Sequence, residues 1–131
     1  MKKIGILNQE ISCVIAGMGH NDMLVIGDAG LPIPSGVKRI DLAVKQGVPG
    51  FFETLETILL EIKLDKVIIA RETFEVSPEV GSRMRELFTD TTVVEVSHEE
   101  LKKMSADARA VVRTGEFTPY ANIILVSGVV F

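Results

Sequence analysis

Residues 113–131, RTGEFTPYANIILVSGVVF, join a polar loop to a hydrophobic run and decide how the rest of the chain is interpreted. A second stretch, GHNDMLVIGDAGLPIP at residues 19–34, is built in the same way. Each apolar run is short and rich in Val, Ile and Leu, as expected of a buried strand. Together the two stretches supply five side chains suited to gripping a small polyhydroxylated molecule: His20, Asp28, Glu116, Tyr120 and Asn122.

Helix-like and strand-like segments alternate outward from these two stretches. The pattern predicts strands at 23–27, 38–42, 66–70, 92–96, 110–113 and 123–126. It predicts helices that begin after Asn8, Gly50, Ser77 and Ser97, with Ser77 acting as a cap before a first-turn proline. This order indicates an α/β fold, a single three-layer domain over residues 1–131 with a largely parallel sheet flanked by helices. The closing pair of strands could be antiparallel.

Composition narrows the possible partners and location. The net charge is −4, whereas a protein that binds nucleic acid needs a positively charged surface, so a nucleic-acid partner is not expected. Cys13 is the only cysteine, the apolar run Ile4–Leu7 is too short for a signal peptide, and no segment approaches membrane length. A cytoplasmic protein is therefore expected. Hydrophobic residues make up 47% of the chain, and we expect subunit contacts in a homo-oligomer to bury the surplus apolar surface.

Motifs for other chemistries are absent from the sequence. Gly17-Met18-Gly19 precedes a strand and lacks the third glycine of a dinucleotide fingerprint. The two histidines are 78 positions apart, and Cys13 lies in an apolar helical stripe, which argues against zinc. Ser97 has no nucleophile-elbow sequence around it. We therefore expect neither a metal nor a cofactor.

The predicted topology sorts the polar residues into two groups. Ligands of open α/β sheets bind outside the carboxyl ends of the strands, and Asp28, Glu72, His98 and the 116–122 loop each follow a predicted strand. His20 instead precedes its strand. Eight extended residues between positions 20 and 28 would span about 26 Å at ~3.3 Å per residue. The hypothesis that follows is that His20 reaches the pocket of a neighbouring subunit.

Each candidate also has a plainer interpretation. His20 follows a helix-ending glycine and could merely complement the helix dipole. Asp28 and Asn122 could be turn residues, and His98 could be an ordinary first-turn residue of a capped helix. Lys102, one turn into that helix, is more often solvated than catalytic. These residues gain functional weight only in combination.

At these residues the chain resembles the D-ribose pyranase family, part of a wider group that includes the fucose mutarotases. The resemblance covers essentially the whole chain. It is carried by MKKIGILN at 1–8, GHNDMLVIGDAGLPIP at 19–34, IDLAVKQGVP at 40–49, SHEELK at 97–102 and VVRTGEFTPYANIILVSGVVF at 111–131. The combination of DAGLPIP with TGEFTPYAN is specific, because the fucose-type proteins differ in both places.

The resemblance implies a cytoplasmic, cofactor-free isomerase that interconverts the β-pyranose and β-furanose forms of D-ribose and supplies the furanose to ribokinase. The family's catalytic histidine corresponds to His20. Its sugar-binding positions correspond to Asp28, His98 and the segment Tyr120-Ala121-Asn122. The family forms rings of subunits, commonly decamers built from two pentamers, which agrees with active sites shared between subunits.

Three alternatives remain open from the sequence. The first is a non-catalytic sugar-binding or regulatory protein with the same pocket. The second is a mutarotase for fucose or another monosaccharide, against which the Phe117-Thr118-Pro119 loop argues mildly. The third, a nucleotide-binding α/β module, would need a phosphate cradle that the sequence does not contain.

Overall fold

The computed structural model describes residues 1–131 and contains six strands and five α-helices. A 3-10 turn, Ser105–Asp107, follows the last helix. None of the helices combines the length and the hydropathy that a membrane span requires. In chain order the elements are α1 (Gln9–Gly17), β1 (Met23–Gly27), β2 (Lys38–Asp41), α2 (Phe51–Leu59), β3 (Leu64–Ala70), α3 (Arg71–Val76), α4 (Pro78–Leu87), β4 (Thr92–Val96), α5 (His98–Met104), β5 (Ala110–Arg113) and β6 (Ile123–Ser127).

The six strands form one sheet in the order β2-β5-β1-β6-β3-β4. Parallel pairing joins β1 to β5, β5 to β2 and β3 to β4. β6 lies between β1 and β3 and is antiparallel to both. Five strands therefore run in one direction. Their carboxyl ends share one edge of the sheet with the amino end of β6, and we call it the carboxyl edge. The opposite one is the amino edge.

Helices and loops cover both faces of the sheet. Leu24 and Ile26 of β1 belong to a core cluster that includes buried residues of α1, α2 and α4. Val25, between them in sequence, belongs to a second cluster with Leu101 of α5 on the other face. A strand buried on both faces needs a continuous apolar run, which explains the sequence of β1. The predicted three-layer α/β architecture with a largely parallel sheet is confirmed.

Local sequence signals account for most element boundaries. The Asn8 side chain accepts a hydrogen bond from the Ile11 N–H at 2.9 Å and caps α1. Ser97 caps α5 in the same way through the Glu100 N–H. β1, β4 and β5 have the predicted bounds, and the other three strands differ by one or two residues. Capping side chains and apolar runs are local properties, so a single sequence reveals them.

Three features differ from the prediction. Helix α3 was not predicted. Ser77 does not cap α4, because α3 runs directly into that helix and the Ser77 hydroxyl donates instead to the carbonyl of Pro119 at 2.6 Å. The two closing strands, β5 and β6, run in opposite directions, as the sequence allowed, but they are not paired with each other because β1 lies between them. The loop from residue 114 to 122 therefore crosses over the end of β1.

Candidate active site

Polar side chains from three loops meet at the carboxyl edge, as the sequence predicts. Asp28 directly follows β1, and His98 is the first residue of α5 after β4. Tyr120 and Asn122 lie in the loop that leads into β6. The antiparallel direction of β6 starts that strand at the edge where the others end, so its leading loop joins the group. We call Asp28, His98, Tyr120 and Asn122 the edge cluster.

Asp28 and Asn122 form a reciprocal pair. The Asn122 carbonyl oxygen accepts from the Asp28 backbone N–H at 2.9 Å, and its amide nitrogen donates to Asp28 Oδ2 at 2.9 Å. Asp28 Oδ1 accepts from the Gly30 N–H. Asn122 is fully buried, whereas Asp28 is half-buried. A carboxylate has about four lone pairs, so Asp28 retains acceptor capacity for a ligand hydroxyl.

Tyr120 and His98 pack ring against ring. Their centroids are 4.9 Å apart with an interplanar angle of 85°, an edge-to-face contact. The His98 backbone N–H donates to Glu72 Oε2 at 2.9 Å, and this bond fixes the start of α5. His98 Nδ1 is buried without a hydrogen-bond partner in the chain. Buried polar atoms are nearly always bonded, so this unpartnered ring nitrogen sets His98 apart from the other buried polar side chains.

A cleft of about 380 Å³ opens beside Asp28. Arg113, the last residue of β5, lines it and donates through Nε to the Ala29 carbonyl at 2.9 Å. Its guanidinium also forms an ion pair with Asp41 at 3.0 Å. Phe117, which also lines the cleft, is exposed. The cleft therefore combines charged groups that accept and donate hydrogen bonds with an apolar wall, a combination suited to a small polar ligand.

The loop across β1 is tied down along its first half. The Thr114 hydroxyl donates to the Gly27 carbonyl at 2.8 Å, and the Ala29 N–H donates to the Glu116 carbonyl at 2.8 Å. Gly115 lies so close to the chain at residues 45–48 that a Cβ would come within 2.5 Å of the Lys45 carbonyl oxygen. This position therefore requires glycine, and the loop has little freedom to move.

The Glu116 carboxylate is taken up by hydrogen bonds within the protein, so its role is structural. One oxygen accepts from Thr118 and from the Phe117 N–H, and the other accepts from the N–H of Phe51 at the start of α2. Burial alone would raise the pKa of this carboxyl, but the hydrogen bonds to the Thr118 N–H and hydroxyl, Phe51 and Phe117 outweigh it and lower the pKa. Glu116 therefore stays ionised and holds the loop.

Two other candidates from the sequence have less direct positions. Ala121 is fully buried, with its side chain in the core. Lys102 forms an ion pair with Glu99 on the surface of α5. No three His, Cys, Asp or Glu side chains are gathered closely enough to hold a metal ion.

His20 lies at the amino edge, away from the edge cluster. It sits in the turn before β1, where the Asn21 N–H donates to the Ser127 carbonyl at the far end of β6. Its side chain is exposed. The five residues of β1 separate the two edges by about 17 Å at ~3.3 Å per residue. One chain therefore does not bring His20 to Asp28.

The sequence interpretation missed two residues at this edge. Arg113 ends an otherwise apolar strand, and a charged residue in that position is a signal that could have identified it. Thr73 donates through its hydroxyl to the Tyr120 carbonyl at 2.7 Å. It gave no local signal, because its partner is 47 residues away and α3 was not predicted.

Comparison with known proteins finds relatives that match nearly the whole chain. Residues 1–130 match the model of the RbsD / FucU transport protein family. A D-ribose pyranase from Clostridium perfringens (strain SM101 / Type A) is 60% identical over 131 residues, which is the full length of both chains. A D-ribose pyranase from Symbiobacterium thermophilum is 56% identical, also over the full length of both.

Solved structures share the architecture. Bacillus subtilis RbsD complexed with D-ribose superposes with a TM-score of 0.97 at 47% identity, covering all of both chains. The fucose mutarotase of Streptococcus pneumoniae in complex with L-fucose has a TM-score of 0.81 at 29% identity, covering 95% of each chain.

Proposed function

This chain belongs to the RbsD / FucU transport protein family, and we propose that it is an enzyme that interconverts the β-pyranose and β-furanose forms of D-ribose. The observation that carries the proposal is full-length similarity, at 60% identity, to a protein named D-ribose pyranase. The edge cluster supports it, because carboxylate, amide, phenol and imidazole groups suit the hydroxyls of a free sugar. The reaction uses no cofactor.

Interconversion of the two ring forms requires only proton transfers. Changing ring size requires the hemiacetal to open to an aldehyde and to close again on a different hydroxyl. Opening needs a proton at the ring oxygen and the loss of one from the anomeric hydroxyl. An imidazole titrates near neutral pH and serves in both directions. His20 is the proton donor and acceptor in this proposal.

The edge cluster holds the sugar. Asp28 accepts from sugar hydroxyls through the lone pairs that Gly30 and Asn122 leave free. His98 and Tyr120 present their polar ring atoms to other hydroxyls. Ala121 and Asn122 are fully buried in the single chain, and Asn122 contributes by orienting the Asp28 carboxylate.

His20 reaches the sugar from a neighbouring subunit. The amino-edge position of His20 in one chain supports this arrangement, since only a second copy can bring an amino edge to a carboxyl edge. Exposed apolar side chains provide material for the contact, among them Leu7, Leu60, Val130 and Phe131. We infer a homo-oligomer with shared active sites, and a decamer of two pentameric rings is the expected form. It acts in the cytoplasm and supplies ribokinase.

A second candidate is a mutarotase for another monosaccharide. The similarity to a fucose mutarotase solved with L-fucose favours it, although at lower identity than the ribose-type proteins. A non-catalytic sugar-binding protein is the third. These candidates differ in which sugar exchanges, and how fast.

Saturation-transfer NMR distinguishes them. Irradiating one anomeric signal of D-ribose and following the others, with L-fucose in a parallel sample, measures exchange directly. We expect micromolar protein to accelerate pyranose–furanose exchange of ribose well above the uncatalysed rate, with a smaller effect on fucose. Faster exchange of fucose would favour the second candidate. Binding of ribose without faster exchange would favour the third and refute catalysis.

A further inference from the structure

Helix α3 directs polar side chains at the elements that carry the edge cluster. Thr73 donates to the Tyr120 carbonyl at 2.7 Å, and Glu72 accepts from the His98 N–H at 2.9 Å. Ser77, just beyond the helix, donates to the Pro119 carbonyl at 2.6 Å. All three bonds connect a side chain of residues 72–77 with the backbone of the site. None of the three side chains makes a capping hydrogen bond to α3 itself.

Tyr120 has a backbone conformation that its surroundings must maintain. Its φ is 61°, in the left-handed region that residues with a Cβ rarely adopt. Two hydrogen bonds converge on its carbonyl, one from Thr73 and one from the Asn122 N–H at 2.9 Å. Strained conformations of this kind cluster at functional sites and persist only where neighbouring groups determine them. The Thr73 hydroxyl is one of those groups.

The conformation of Tyr120 decides where its ring lies. The ring meets the His98 ring edge to face, and the position of His98 is fixed in turn by Glu72. Consecutive residues of one helix thus hold the backbones of both aromatic members of the edge cluster. A change in α3 would move both rings together.

The helix is itself held rigidly. Thr73 is fully buried. Phe74 packs against Gly81 of α4 so closely that a Cβ on Gly81 would lie 2.6 Å from the Phe74 ring. The Arg85 guanidinium lies 4.1 Å from the centre of the same ring. Because α4 clamps Phe74 from one side, α3 can serve as a fixed support for the loop on the other.

We propose that Thr73 and Glu72 are positioning residues for sugar binding, with Thr73 setting the conformation of Tyr120 and Glu72 the placement of His98. The part that concerns ribose affinity rests on the proposed function. Loss of either bond loosens a ring that holds a hydroxyl equally in the ground and transition states. Such a change raises KM and leaves kcat nearly unaltered.

The test compares Thr73→Val, which replaces the hydroxyl with a methyl group, with Thr73→Ser, which keeps the hydroxyl. Thr54→Val is the matched control, because Thr54 is also buried and its hydroxyl also donates to a backbone carbonyl, that of Gly50 at 2.9 Å. We expect Thr73→Val to raise KM for D-ribose about 3- to 10-fold, the effect of one lost hydrogen bond. Its kcat should stay within about twofold, and Thr73→Ser should restore KM.

A spectroscopic signal follows the same variants without any activity assay. Tyr120 is the only tyrosine and the chain has no tryptophan, so the tyrosine bands of near-ultraviolet circular dichroism report on this residue alone. They should change in Thr73→Val, return in Thr73→Ser and stay unaltered in Thr54→Val. Unaltered tyrosine bands and KM in a folded Thr73→Val would overturn the proposal, as would equal changes in Thr54→Val.

A second arm covers the case in which Thr73→Val does not fold. Glu72 is only half-buried, and Glu72→Ala should shift the imidazole resonances of His98, one of two histidines in the chain, and raise KM without changing kcat. Unshifted resonances would overturn the proposal. If the wild type exchanges no sugar, the proposed function fails by itself, while the tyrosine and histidine signals still decide the role of α3.

Discussion

The two edges of the sheet differ in how completely one chain fixes their polar side chains. At the carboxyl edge, Asn122 is buried and bonded to Asp28 at both ends of its amide. Tyr120 is held through its carbonyl and against the His98 ring. At the amino edge, the His20 side chain is exposed, and the bonds of its turn are made by neighbouring residues.

In the proposed mechanism, the carboxyl edge binds the sugar and the amino edge transfers protons. Binding groups gain affinity when they are ordered before the ligand arrives, and one chain orders the edge cluster alone. An acid or base also needs orientation, and the isolated chain does not supply it for His20. A subunit contact would supply it. Variants at the two edges should therefore damage different kinetic constants.

The largest effect is expected at His20. Replacement by alanine removes the proposed proton donor and acceptor, and a positioned acid or base contributes about 10²–10⁴-fold to a rate. We expect exchange of ribose, measured by saturation transfer, to fall by that factor. The dissociation constant of ribose, followed through the fluorescence of Tyr120, should change less than about threefold, since one contact of many is lost. An unchanged exchange rate would remove His20 from the mechanism.

Mixing two inactive variants tests whether the two edges that form one active site come from different subunits. At ribose concentrations well below KM, His20→Ala and Asn122→Ala are each expected to be nearly inactive alone. If each site takes His20 from one subunit and Asn122 from the next, co-refolded mixtures contain intact sites, about a quarter of the total for random 1:1 assembly. Activity should recover to that level. No recovery in a mixed oligomer of confirmed composition would mean that both residues act within one chain.

Much of this contrast can be predicted from the sequence, because it depends on local signals and strand direction. The apolar run of β1 and the polar residues flanking it put His20 and Asp28 at opposite ends of one strand. Caps at Asn8 and Ser97 mark two helix starts correctly. Periodicity and capping are short-range properties and need no knowledge of the partners.

The remaining features depend on contacts between distant segments. Ser77 looks like a cap, yet its hydroxyl is taken by Pro119, 42 residues away. Nothing around Thr73 indicates a helix or a bond to Tyr120. The insertion of β1 between β5 and β6 is likewise a matter of tertiary pairing. Such choices are decided by packing energies that local propensity does not contain.

An intermediate effect is expected at Asn122. Asn122→Asp keeps the size of the side chain but loses the donor to Asp28 Oδ2 and places a second carboxyl beside it. We expect about 10- to 100-fold weaker ribose binding and a loss of about 1–3 kcal/mol in the free energy of unfolding. Fluorescence titration and chemical denaturation measure the two.

The control for that variant is Asn8→Asp, the same chemical change at a helix cap, where a carboxylate accepts the Ile11 N–H equally well. It should leave both quantities within error of the wild type. Equal weakening of ribose binding in both variants would mean that Asn122 matters only for general stability.

The smallest effect is expected at Asp22, which lies at the amino edge beside His20. Asp22 accepts from the Gly19 N–H at 2.8 Å and pairs with Arg109 at 3.0 Å, and so shapes the turn that carries His20. Asp22→Asn removes the charge and keeps the shape. We expect kcat to fall by about two- to fivefold, in line with the modest value of an exposed ion pair, with ribose affinity unchanged. Glu56→Gln, which breaks a similar surface pair with Arg83, should change neither constant.

The same variant should leave a mark on the pH dependence of stability. The Gly19 hydrogen bond and Arg109 lower the pKa of Asp22. A carboxyl with a lowered folded-state pKa stabilises fully above its unfolded pKa of about 3.9, and this contribution is lost as pH falls through the lower folded-state value. The wild type should therefore have a higher Tm than Asp22→Asn at pH 6. The difference in Tm should disappear as pH falls below about 4. A gap that persists at pH 2 would show that the asparagine perturbs the turn sterically, and the reduced kcat would then say nothing about charge at this edge.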